Sequence, residues 1–423
     1  MKRRLLFGER MLLGEGKDPF HVVIPFRLRG VLEEKEIQYA LGRLQKKHPW
    51  LRACIHIDEK NIPWFELSKL PNPIPIRIVD QKREEDWQQE TMRELQTLFD
   101  YKNKPLIRLV WIKGSDASDM LLTFHHCLCD GGAAMNLIHE FLKVLDNPKA
   151  DIGIENPILG IQDVVPSLIL NSNRQRFKAK MIGRLATFAI KCIPVSKKAI
   201  DRQTDYLIHW KLDPATSQQL ISHCQSLAIT VNTFLSAIVL DTFKKVRGNK
   251  AFNKVSCPVD IRRFAPQVKK DHIFAFGLMI VLSSDPKLDF LDNLRVMQQH
   301  VDRKTAKLNP YITMMVMESA HKALNNFTKL LKRGKSSNDC MFSNLGRIQI
   351  PHQYQSFALE TIRSPSVIGP LGNTTTILTS TYQGVIDFSF MGSEGYLPYH
   401  EALAIRDEIT DSIKRQLNYQ AAS

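Results

Sequence analysis

"LLTFHHCLCDGGAA", residues 121–134, is an apolar β-like run that stops on two imidazoles, turns on glycine and enters a helix. Adjacent side chains on a strand point to opposite faces. His125 and His126 therefore cannot both enter one cavity from regular strand geometry; one braces the structure and the other meets a site. Asp130 and Gly131 fall in the turn, where the carboxylate either caps the following helix or returns to an arginine. Glycine permits the backbone angles that such a return needs. A neutral imidazole is the natural general base near pH 7, suited to taking a proton from a hydroxyl or amine as that group attacks an acyl carbon. Cys127 and Cys129 offer zinc ligands or a thiolate nucleophile. No second Cys-x-x-Cys or His-x-x-x-His cluster completes a structural site, so no metal is expected and the two small side chains are read as filling the turn.

Outward from this stretch the pattern is mixed α/β. "FHVVIPFRLR" (20–29), "LRACIHI", "PLIRLVWIKG" and "DMLLTFHH" carry the β-branched and apolar content of strands. Ile37, Ala40, Leu41 and Leu44 fall at helical spacing, with His48-Pro49 stopping the helix. Leu137, Ile138, Phe141, Leu142 and Leu145 mark the helix that follows the glycines. In the second half, "YLIHWKL", "KVSCPVDIRR", "GLMIVLSS", "DCMFSNLG" and "TTTILTSTYQGVIDFSF" read as strands. Asp213-Pro214 opens a helix, Thr230 another, and "EALAIRDEITDSIKRQL" closes the chain as a third.

A chain of 423 residues exceeds what one core normally supports, so two domains are expected, 1–150 and 206–423, joined by a crossover at 151–205. The crossover is basic: Arg174, Arg176, Lys178, Lys180, Arg184, Lys191, Lys197, Lys198 and Arg202 face one acid, Asp201, around a helix bounded by Pro194. Such a helix either packs its apolar side on the body of the protein or lies on a membrane. No apolar run approaches a membrane span, and the basic N-terminus is too interrupted for a secretory signal. Seven sparse cysteines suit reduced thiols in a cytoplasm. The net charge of +15 either simply keeps the protein in solution or points to an anionic partner: nucleic acid, a membrane surface, an acidic protein or a phosphorylated cofactor. Basic residues are not interleaved with stacking aromatics, so nucleic acid is not expected.

His125-His126-x-x-x-Asp130-Gly131 resembles the HHxxxDG signature of the condensation-domain and coenzyme A-dependent acyltransferase superfamily. "LGRLQKKHPWLRACI" is similar to that family's first helix leading into His-Pro-x-Leu-Arg, "PVDIRRF" to its Val-Asp-x-Arg segment, and "FSNLGRI" to its late Ser-Asn-x-Gly strand. The resemblance implies an α/β pseudo-dimer of two chloramphenicol-acetyltransferase-like domains with an active-site tunnel between them. It implies His126 as general base, His125 and Asp130 as structural support, Arg262 as the arginine facing Asp130, Gly131 as leaving room in the tunnel, and Ser343 and Asn344 near it.

The activity implied is transfer of an acyl group from a thioester, acyl-coenzyme A or phosphopantetheinyl carrier protein, directly to an alcohol without an acyl-enzyme. No permanent cofactor is expected. Amide formation on an amine from a carrier-bound donor is the alternative, and a non-catalytic lipid- or partner-binding relative belongs to another class. Such acyl transfer would serve lipid or secondary-metabolite biosynthesis. "KKVRGNK" (244–250), "KLLKRGK" (329–335) and the 174–202 segment are candidate contacts for coenzyme A phosphates or an acidic carrier protein.

Overall fold

The computed structural model describes residues 1–14, 19–67, 72–193, 202–333, 337–369 and 373–421. Pro194, Lys197, Lys198 and Asp201 of the basic crossover, and the side chains of 331–336, lie outside the described residues.

The strand Ala117–His125 is buried at every position. It is central because both edges are taken: His21–Arg29 pairs antiparallel on one side and Ile107–Lys113 on the other. Its alternating side chains feed two separate clusters. Met120, Leu122 and Phe124 pack with Leu41, Leu44, Leu137 and Phe141 of the helices Glu34–Lys47 and Gly131–Asp146. Leu121 faces the opposite way, toward Trp87 and Leu95 of the helix Asp86–Gln96. A continuous apolar run, rather than an alternating one, is what a sheet covered on both faces requires. Each such side chain contributes about 1.5–3 kcal/mol by leaving water.

The second sheet runs in the order Leu278–Leu282, Val255–Val259, Cys340–Arg347, Thr376–Tyr382, Val385–Ser393, Asp205–Lys211. Helices Pro214–Ser226, Val231–Arg247 and Tyr399–Ala421 cover it through Leu220, Phe234, Ile238, Ile405 and Ile409. A small sheet of Lys2–Arg4, Pro63–Leu67 and Ala53–Ile57 stands apart from both.

The division at 206–423 needs a correction. Residues 358–367 leave the second half and pair with His21–Arg29 of the first sheet, Ala358–Ile362 and Ser366–Val367 both antiparallel. Without them His21–Arg29 would be an edge with open backbone groups. Arg363 marks the crossing: its backbone N–H donates to Pro25 O (2.9 Å) and its guanidinium to the buried Asp119 carboxylate (2.7 Å). The first half is therefore not closed by its own sequence.

The crossover carries the helix Asn173–Cys192, capped by the Ser172 hydroxyl, which accepts from Gln175 N. Ala179 and Gly183 turn inward against the helix Pro310–Ser319, where a Cβ on Gly183 would stand 1.9 Å from Ser319 Oγ. One face of this helix does pack on the body. Among the described residues no single helix is long and apolar enough to cross a membrane.

Candidate active site

The strand Ala117–His125 ends where the chain meets the second half. His125 is its last residue and stays in the core, with its ring edge-on to His21, the residue opposite it in register, and beside Phe99. Its Nδ1 accepts the N–H of Cys127 (3.3 Å), which fixes the ring as neutral. Burial first, then the neighbouring His21 and His126, pushes its pKa down to about 3. His21 behaves alike, pushed to about 4, chiefly by burial, and its Nδ1 donates to Glu94 O (3.2 Å). His125 is a brace.

His126 lies one residue beyond the strand, in the turn. The two histidines are separated by that turn rather than by strand alternation, a departure from the expected geometry. The backbone N–H of His126 donates to Phe20 O (2.8 Å), and the Phe20 ring stands edge-on to the imidazole at 5.1 Å. Nδ1 lies 3.2 Å from the Cys129 carbonyl. A carbonyl only accepts, so Nδ1 carries the proton and the Nε2 lone pair is free. Among the described residues nothing engages Nε2. Burial lowers the His126 pKa, which keeps the ring neutral and basic at pH 7.

Asp130 does both things open to it in the sequence. Oδ1 accepts from Ala133 N (3.0 Å), capping the helix Gly131–Asp146, while Oδ2 receives Arg262 Nη1 (2.6 Å). Burial opposes the charge on Arg262, but the Asp130 carboxylate outweighs it and raises the guanidinium pKa. Arg262 sits in a short 3-10 turn, Ile261–Arg263, after the strand Val255–Val259. The bridge therefore ties the histidine turn to the second half, and the Asp130 N–H adds a second tie at Phe274 O (3.1 Å).

Gly131 faces the strand Cys340–Arg347: a Cβ there would lie 2.7 Å from Leu345 Cδ2. The space the glycine leaves is thus taken by Leu345. Ser343 and Asn344, both partly buried, pair with Leu378 and Thr379, and the register shifts between Asn344 and Arg347. That bulge lies at the point where Leu345 meets Gly131. Asn344 Oδ1 accepts from Gly346 N (2.7 Å), holding the left-handed turn at φ +71°.

Cys127 and Cys129 are fully buried, and burial pushes both thiols well up, so neither supplies a thiolate. Among the described residues no group of three or more His, Cys, Asp or Glu is placed to hold a metal ion.

One cluster escaped the sequence, where His48 was read as a helix stop and as the start of the His-Pro-x-Leu-Arg resemblance, with no partners assigned to it. His48 is fully buried between two carboxylates, Nε2 to Glu140 and Nδ1 to Glu155, each at 2.6 Å. Burial opposes its charge and the two carboxylates overcome it, so its pKa is raised. Lys47 joins Glu140 (2.6 Å) and Asp271 (3.2 Å). Glu155 also accepts from Ile273 N (2.9 Å), next to the Phe274 carbonyl that holds Asp130. The network supports the turn from behind. Its partners are about 90 to 110 residues from His48 in the chain, and only the presence of His, Lys and Glu hinted at it.

A cavity of about 290 Å³ is lined by Arg10, Tyr101, Asn325 and Lys329 among others, and His126 is not part of its lining. Of the basic stretches, Lys245 and Arg247 are paired within the chain, to Asp241, Glu408 and Glu401.

Residues 2–158 match the family model of the Condensation domain. That match covers the first part of the chain, which is thus similar to a condensation domain. Its structure is similar to trichothecene 15-O-acetyltransferase from Fusarium sporotrichioides, at 12% identity and a TM-score of 0.74 over 97% of this chain and 95% of that one. The first condensation domain of the CDA synthetase gives 14% identity and 0.73, covering 98% and 95%. Polyketide synthase associated protein 5 from Mycobacterium tuberculosis gives 15% and 0.67, covering 98% of both. Among curated proteins, a plipastatin synthase of Bacillus subtilis is 27% identical over 138 residues, 32% of this chain but 4% of that protein. The chain thus matches a small part of such synthases. These likenesses show the two-domain condensation/acetyltransferase fold.

Proposed function

We propose that the chain is an acyltransferase that moves an acyl group from a thioester to an alcohol. The observation that carries this reading is the His126 ring: Nδ1–H is committed to the Cys129 carbonyl, which leaves Nε2 unprotonated and unengaged among the described residues. Nε2 takes the proton of the acceptor hydroxyl as its oxygen attacks the thioester carbon. The tetrahedral intermediate then collapses, the C–S bond breaks, and the departing sulfur recovers the proton from Nε2. No acyl-enzyme is needed. Asp130, Arg262 and the buried His48 cluster hold the turn that presents the imidazole, and the substrates reach it through a passage between the halves, bounded by the Ser343–Leu345 segment. The donor is acyl-coenzyme A or a phosphopantetheinyl carrier protein, and the anionic groups of either suit the chain's excess of cations.

A second reading is favoured by the Condensation match over 2–158: amide formation on an amine from a carrier-bound donor, with the same histidine. Free-thiol release from acyl-coenzyme A donors of graded chain length, with mixed alcohols and amines, tests both. Acceptor-dependent release that His126→Ala abolishes supports the assignment, and product mass separates ester from amide. Release unchanged in His126→Ala refutes the role of His126. The rate should hold as pH falls below 6.5, the ordinary histidine value, because the base stays neutral there.

A further inference from the structure

The crossover helix Asn173–Cys192 presents a face that nothing among the described residues covers. Phe177, Met181, Leu185 and Phe188 are 70, 46, 62 and 69% exposed. At 100° per residue these four positions form one stripe along the helix. It lies opposite Ala179 and Gly183, the residues that hold the helix to the body. Lys180, Arg184 and Lys191 flank the stripe on one side and Lys178 on the other, Arg174 lies in line with it at its N-terminal end, and all five side chains are exposed. The helix has no acidic residue. Leu168, on the short helix Ser167–Leu170 packed against it, is 88% exposed.

The geometry points to an anionic lipid surface as the occupant of this stripe, with the helix lying in the plane of the bilayer interface. Large apolar side chains enter the acyl boundary while flanking lysines and arginines reach the phosphates. A second copy of the chain is a poor occupant, because like stripes would bring the basic flanks together. An acidic protein would satisfy the cations but leave a run of phenylalanine, methionine and leucine without polar partners on a convex helix. The surface is independent of the acyl-transfer reading, and none of its residues belongs to the histidine site.

The test is flotation of the full chain with phosphatidylcholine vesicles and with phosphatidylcholine–phosphatidylglycerol vesicles. The wild type should float with the anionic vesicles and lose this as salt rises. Phe177→Ser with Phe188→Ser should lower partitioning about a hundredfold, with thermal unfolding unchanged because both side chains are exposed. Neutralising Lys180, Arg184 and Lys191 to Gln should cost about fivefold per charge on anionic vesicles only. Wild-type protein that stays with the aqueous fraction overturns the proposal, as does flotation unaffected by the serine pair. Self-association, or binding to an acidic carrier protein, that the serine pair abolishes without any vesicle binding overturns it too.

Discussion

The tie between the histidine turn and the second half can be weighed by separating the two tasks of Asp130. Asp130→Ala removes both the helix cap and the bridge to Arg262; Asp130→Asn keeps an oxygen for Ala133 N but sets an amide NH2 where the other oxygen received Arg262, so the cap stays and the bridge is lost. A cap of this kind contributes about 1 kcal/mol. Breaking a buried ion pair costs about 3–5 kcal/mol. The Arg262 side chain is 8% exposed, but that of Asp130 is 20%, so water reaches one end of the pair. That lowers the expected cost of the bridge to about 2–4 kcal/mol. Asp130→Ala should therefore lose about 3–5 kcal/mol, against about 2–4 for Asp130→Asn. Arg262→Ala leaves the cap intact and the carboxylate partly hydrated. The assay is denaturant unfolding of the single and double variants, followed by the transition that separates the halves. A coupling of about 1.5–3 kcal/mol between positions 130 and 262 is expected. A coupling below about 0.5 kcal/mol would falsify the bridge as more than a surface pair, leaving the cap as the reason for the aspartate.

Acid should destabilise the fold through His21 and His125, whose pKa values fall to about 4 and about 3. Below pH 6.5 the unfolded chain binds protons that the folded chain refuses, so stability falls with pH. By about pH 4 each histidine accounts for about 3 kcal/mol. His125→Phe should flatten this slope in urea midpoints taken across pH, and an unchanged slope would contradict the buried neutral ring. His48 has the opposite sign: its raised pKa means stabilisation that is complete below 6.5 and lost as pH climbs through the folded value. His48→Gln, which leaves Glu140 and Glu155 without a cation between them, should quicken hydrogen exchange at Asp130 and Ile273; protection equal to wild type would separate the cluster from the turn. Gly131→Ala gains helix propensity of about 1 kcal/mol and displaces only the far end of Leu345, so stability should move by less than about 1 kcal/mol. Leu345→Ala should then relieve any loss of activity, and no relief would place the cause elsewhere.

The local grammar of the chain was legible without coordinates. The strand before His125, the caps at Asp213 and Thr230, and the helix after Gly131 all follow from residues within a few positions of each other, and local rules govern them. The resemblance to condensation domains was legible because the motifs that carry it lie in short, ordered spacings. Asp130 shows where that stops: the sequence allowed a cap or a bridge, and only the arrival of Arg262, 132 residues away, made it both. The bracing of His48 by Glu140 and Glu155 and the return of residues 358–367 to the first sheet are likewise long-range pairings, set by which edges and charges the folded chain must satisfy. The basic crossover is the same lesson at the surface. Composition showed a helix both cationic and apolar, but which face meets the body depends on Gly183 seating against Ser319. Sequence determined the elements and their chemistry; the tertiary structure decided which of their groups meet, because burial and pairing belong to distances that no local pattern contains.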